Sequence, residues 1–127
     1  MRNKRKENLV IVADDDLLVR KLVLRGLDGF TAFREVTDGA VLMDIYKAEM
    51  PDVLFLDIHL PNVSGLDLVS QIMAVDPGAY IVMLSADSTQ TNVLTAVKRG
   101  AKGFLTKPFK FDDLMFWFNK CETIHFM

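Results

Sequence analysis

Short apolar runs alternate along the chain with stretches of helical period. Asn8 to Ala13 (NLVIVA) is a β-branched run of the kind that forms a buried strand. From Leu17 to Leu27 the apolar residues Leu18, Leu22, Val23 and Leu27 recur at helical spacing, and Asp28-Gly29 supplies a stop. A weak strand is expected over Ala32 to Val36, then a helix from Thr37-Asp38-Gly39 to about Glu49, ended by Pro51. Val53 to Leu56 (VLFL), Tyr80 to Leu84 (YIVML) and Gly103 to Leu105 (GFL) read as further strands. Between and after them, Gly65 to Val75, Ser88 to Arg99 and Phe111 to about Thr123 read as helices, with Asp76-Pro77-Gly78 and Gly100 as breaks.

Five strand–helix units of this kind predict an α/β fold. Nearly continuous apolar strands indicate a parallel sheet covered on both faces, a three-layer sandwich. With right-handed crossovers, the flavodoxin-like (βα)5 arrangement in strand order 2-1-3-4-5 suits the length. In such a sheet ligands sit at the carboxyl ends of the strands, where the order reverses between strands 1 and 3.

Bulk properties narrow the picture. The 127 residues suit one domain, expected over 1–127 with a flexible basic lead-in over 1–7 and a tail over 124–127. A net charge of −2 argues against a nucleic-acid-binding face, and no apolar run is long enough for a membrane span or a signal peptide. A single cysteine, Cys121, excludes an internal disulfide and fits a cytoplasmic location.

The residues directly after the strands are the ones that carry chemistry. Asp14, Asp15 and Asp16 follow the first strand, Asp57 the third, Ser85 the fourth and Lys107 the fifth. A parallel sheet brings all of them to one edge. Clustered carboxylates raise one another's pKa unless a cation intervenes, and Mg²⁺ takes oxygen ligands of this type, with Mn²⁺ as its substitute. A carboxylate beside such an ion can attack phosphorus, a lysine can neutralise the transferred group, and a hydroxyl can donate to it. Asp16 is left to cap the helix that follows.

These motifs together make the chain resemble a response-regulator receiver domain, the phosphoacceptor part of two-component signalling. The acid pair, the LDIHLPNVSG stretch around Asp57, Ser85-Ala86 and Lys107-Pro108-Phe109 occur in that family's order and spacing, over residues 8 to about 123. The resemblance implies that Asp57 accepts the phosphoryl group. It implies that Asp14, Asp15, Asp57 and the His59 backbone carbonyl hold the metal, and that Ser85 and Lys107 contact the phosphoryl oxygens. It also implies a cis Lys107-Pro108 peptide and a switch in which Ser85 and Phe104 move together. The donor is then a sensor histidine kinase or a histidine phosphotransfer protein, which would dock near Leu17 and Leu18. A homodimer or an output protein would use the face of the fourth helix, fifth strand and fifth helix.

Two departures bear on tuning and contacts. His59 and Asp87 are expected at the pocket mouth, where they would set the lifetime of the phosphate. The last helix reads FDDLMFWFNKCETIHFM; Phe111, Leu114, Phe118 and Cys121 are expected against the sheet, leaving Met115, Phe116 and Trp117 as an exposed interface patch. The expected function is a phosphorylation-dependent switch with only self-phosphorylation and autodephosphorylation as activities. An aspartyl-phosphate phosphatase of the dehalogenase type is the enzymatic alternative, disfavoured because His59 stands where that chemistry needs a second acid. A pseudo-receiver that never accepts phosphate is the other. The chain reads either as a stand-alone receiver or as a piece of a larger regulator or hybrid kinase.

Overall fold

The computed structural model describes residues 7–86 and 89–124. Asp87 falls outside the described residues, as do most of the expected lead-in and tail.

The element order is β1 (Leu9–Ala13), α1 (Leu17–Gly26), β2 (Ala32–Val36), α2 (Gly39–Glu49), β3 (Val53–Asp57), α3 (Gly65–Val75), β4 (Ile81–Ser85), α4 (Gln90–Arg99), β5 (Gly103–Thr106) and α5 (Phe111–Asn119). The sheet runs β2-β1-β3-β4-β5 with every pair parallel, as expected from the alternation of strands and helices. Period-two alternation sends neighbouring strand residues to opposite faces. Ile11, Ala13, Leu54, Leu56, Ile81 and Met83 join Leu42, Tyr46, Leu68 and Ile72 under α2 and α3. Val10, Val12, Val53, Phe55, Val82 and Leu84 join Val19, Val23, Leu114 and Phe118 under α1 and α5. β3 and β4 are buried along their whole length, which is why they read as unbroken apolar runs.

Side-chain caps set the helix starts. Asp16, Asp38, Ser64 and Thr89 accept backbone N–H groups at the heads of α1 to α4, so Asp16 does cap α1. At the far end of the sheet, buried Asp52 accepts Leu9 N–H at 2.8 Å and the Thr123 hydroxyl at 2.7 Å, and its carbonyl accepts the Cys121 thiol at 3.3 Å. These bonds pin the segment after α5 to the start of β3.

Two helix faces differ from expectation. In α1 the buried residues are Val19 and Val23, with Leu27 just beyond; Leu18 and Leu22 are 67% and 43% exposed. The cap at Asp16 fixes the phase of the helix, and the β-branched side fits the sheet. In α5, Leu114 and Phe118 are buried, but Phe111 is 58% exposed. Phe111 lies in the overhanging first turn, beside Gly26 of α1. Met115 and Trp117, expected in an exposed patch, are half-buried against the α1/α5-side core. Gly103 on β5 has no side chain to fill that space, and a Cβ there would stand 2.5 Å from the Trp117 ring. Of the three, Phe116 alone is exposed, edge-on to Trp117 with the Lys120 ammonium 4.6 Å from its ring centre.

Candidate phosphoacceptor site

The carboxyl ends of β1, β3, β4 and β5 meet where the strand order reverses. Asp14 follows β1 with its backbone N–H on the Val36 carbonyl at 3.0 Å; Asp57 ends β3, and the Ile58 N–H just beyond donates to the Leu84 carbonyl at 3.1 Å. Both carboxylates are buried, while Asp15 is exposed at the mouth. Carboxylate oxygens from Asp14, Asp15 and Asp57 lie within 4.8 Å of one another.

Lys107, just past β5, enters this cluster. Its Nζ is 2.7 Å from Asp14 Oδ2 and 3.5 Å from Asp57 Oδ1. The contact to Asp14 is a close charge pairing and not an aligned hydrogen bond, so the buried Oδ2 has no directed donor. Asp14 Oδ1 accepts the Asp16 N–H at 2.9 Å, and Asp57 Oδ1 accepts the His59 N–H at 3.3 Å. The Lys107-Pro108 peptide is cis. Ser85 ends β4 in register with Thr106 and is fully buried.

Electrostatics follow from three carboxylates and one ammonium in partial burial. Desolvation pushes the Asp57 carboxyl above its ordinary range, and the Asp14 charge adds to this; Lys107 and the His59 N–H oppose it without prevailing. Burial pulls the Lys107 ammonium down, but the attraction of Asp14 and Asp57 outweighs it and leaves the group above its usual value. One lysine thus leaves the acid cluster under-neutralised. With an all-oxygen donor set and an undirected buried lone pair on Asp14, the residues fit a hard divalent cation.

The other sequence-derived residues are placed as follows. Phe104 is half-buried beside the α2/α3-side core, and the His59 side chain is exposed, next to Asp57. Leu17 and Leu18 are both exposed at the start of α1, immediately after the acids.

Sequence reasoning did not single out Arg20. Its guanidinium donates to the Asp14 carbonyl at 3.0 Å and to Glu35 Oε1 at 2.9 Å, bracing the loop that carries the acid pair. A basic residue one turn into a helix behind clustered acids was the available signal. Asn62 was also passed over; it donates to Asp38 Oδ2 at 2.7 Å, the chief reason the Asp38 carboxyl sits below its ordinary range.

Sheet order and site geometry together are those of a response-regulator receiver domain. The family model for the response regulator receiver domain matches residues 10–118, and the chain belongs to that family. It is 35% identical over 103 residues to the chemotaxis protein CheY of Thermotoga maritima, covering 80% of this chain and 86% of that one. Among solved structures it is similar to the receiver domain of NtrX from Brucella abortus, with a TM-score of 0.82 at 30% identity over 88% of this chain and 96% of that one. A response regulator from Burkholderia pseudomallei, crystallised with a phosphorylated aspartic acid, a calcium ion and citrate, matches with a TM-score of 0.77 at 28% identity, covering 86% of this chain and 65% of that one. No helix among the described residues is long and apolar enough to cross a membrane.

Proposed function

We propose that Asp57 accepts a phosphoryl group from a phosphohistidine on a sensor kinase or phosphotransfer protein. The observation that carries this reading is the meeting of Asp14, Asp15 and Asp57 within 4.8 Å, with the Lys107 ammonium against two of them. The Burkholderia relative, with its phosphorylated aspartic acid and metal ion, supports it.

An Asp57 carboxylate oxygen attacks phosphorus; the bond from phosphorus to the donor's imidazole nitrogen breaks, and the imidazole keeps that electron pair. Asp14, Asp15, Asp57 and the His59 carbonyl would hold Mg²⁺ or Mn²⁺, which neutralises charge on the transferred oxygens when bound. Lys107 turns from Asp14 toward the phosphoryl group, and Ser85 donates its hydroxyl to it. Withdrawal of Ser85 toward the phosphate opens space for Phe104 to move inward. That movement changes the face of α4, β5 and α5, where Phe116 and neighbouring Trp117 would meet an output protein or a second copy. The exposed Leu17 and Leu18 would receive the donor, in the cytoplasm. His59 at the mouth would set the autodephosphorylation rate, jointly with Asp87; an unchanged rate in His59→Ala rejects that role.

The deciding experiment is intact-mass analysis after treatment with acetyl phosphate and Mg²⁺. One added phosphoryl group, lost on chelation and in Asp57→Asn, is expected. No addition to the wild-type chain overturns the reading.

A further inference from the structure

The loop after Asp57 is fastened to the start of α2 by contacts distant in sequence. Asn62 lies in the left-handed region with a φ of 71° and donates its side-chain amide to Asp38 Oδ2 at 2.7 Å. The other Asp38 oxygen accepts the Ala40 N–H at 2.8 Å, so one carboxylate both caps α2 and holds the loop. The backbones approach closely at the same point. Gly39 N–H donates to the Pro61 carbonyl at 2.9 Å, and a Cβ on Gly39 would stand 2.7 Å from the Val63 carbonyl oxygen. On the other side, the Gly65 N–H donates to the Ile58 carbonyl at 2.8 Å. His59 lies inside this fastened stretch, with its N–H on Asp57 Oδ1.

We propose that Asp38 and Asn62 form a positioning clamp that fixes the backbone of residues 58–62, so that the His59 carbonyl is already aimed when a divalent cation arrives. The clamp rests on the reading that Asp14, Asp15, Asp57 and that carbonyl hold the cation. A backbone ligand on an untethered loop must lose conformational freedom at the moment of binding; a tethered one has already lost it. Asp38 and Asn62 touch neither the cation nor the phosphoryl group, so they act only through the loop. Removing such supporting contacts usually weakens metal affinity by about 10- to 100-fold, and because this pair is exposed and acts only through the loop the effect falls below that range, at about three- to tenfold.

The test is Mg²⁺ titration calorimetry on the whole chain, paired with thermal melts in chelator. Asn62→Gly keeps the left-handed backbone accessible but loses the amide, and Asp38→Ser keeps a helix cap but loses the long acceptor. Each is expected to weaken Mg²⁺ binding about three- to tenfold. The double variant should be no weaker than the worse single one, because the two residues act as one contact. Wild-type Mg²⁺ affinity in Asn62→Gly overturns the clamp, as does simple additivity in the double variant. A wild-type chain that binds no Mg²⁺, or that binds equally well as Asp57→Asn, overturns the metal-site reading instead.

Discussion

The Lys107 ammonium lies closer to Asp14, at 2.7 Å from Oδ2, than to Asp57, at 3.5 Å from Oδ1. Its charge offsets the repulsion between the two buried acids, and on the proposed reading it would also neutralise a phosphoryl group on Asp57. Lys107→Met is therefore expected to lower stability in chelator by about 1–3 kcal/mol, read from urea unfolding, since it strands the acids together. Acetyl phosphate labelling followed by mass should slow at least about tenfold, from loss of charge stabilisation on the transferred group.

Asp57→Asn should move stability the other way. The Asp57 carboxyl is raised chiefly by burial and then by Asp14, so its ionised form is disfavoured in the folded chain. Replacing it with a neutral amide is expected to raise metal-free stability at neutral pH by about 1 kcal/mol. Mg²⁺ should stabilise the wild-type chain and leave this variant unmoved; differential scanning fluorimetry with and without Mg²⁺ checks both.

Gly65 is the place where a single methyl group would disturb the backbone that carries Asp57. A Cβ there would overlap the Asp57 carbonyl oxygen and crowd Ile58 Cα at 2.8 Å, and backbone atoms cannot swing aside. Gly65→Ala is expected to lose more than about 2 kcal/mol in urea unfolding. Labelling of Asp57 should fall with it even at temperatures where the variant is folded.

Alkaline pH tests a contact far from the site. Tyr80 donates its hydroxyl to the Trp117 carbonyl at 2.5 Å, and its pKa is pushed up to about 12, by burial first and then by Cys121. The folded chain holds this proton more tightly than the unfolded one, whose tyrosine titrates near its ordinary 10.0. The contribution is complete below pH 10.0 and is lost as pH rises through about 12. Tyr80→Phe should be less stable at neutral pH by about 1 kcal/mol and should lose less stability between those two values. Urea midpoints measured across that range decide it.

The strands and the gathering of the candidate site residues at one sheet edge were legible in the sequence for one reason: both are local. VLFL and IVML announce buried strands by composition, and Asp57, Ser85 and Lys107 each sit within two residues of a strand end, so parallel topology alone gathers them. Helix phase was less legible. In LLVRKLVL aliphatics occupy both sides of the helix; of the periodic set Leu18, Leu22, Val23 and Leu27 the core takes Val23 and Leu27, adds Val19, and leaves Leu18 and Leu22 exposed. Trp117 was misplaced because its partner is an absence, the missing side chain of Gly103 in another element. Arg20–Glu35 and Asp38–Asn62 join residues 15 and 24 positions apart, and no local pattern announces such pairs.

The seat of Trp117 over Gly103 also gives the molecule an optical property. The chain contains a single tryptophan, and its ring rests on the β5 residue immediately before Phe104. A displacement of that strand therefore changes the polarity around the only indole. The chain carries its own fluorophore beside the residue proposed to move, and emission spectra can follow that part of β5 with no label attached.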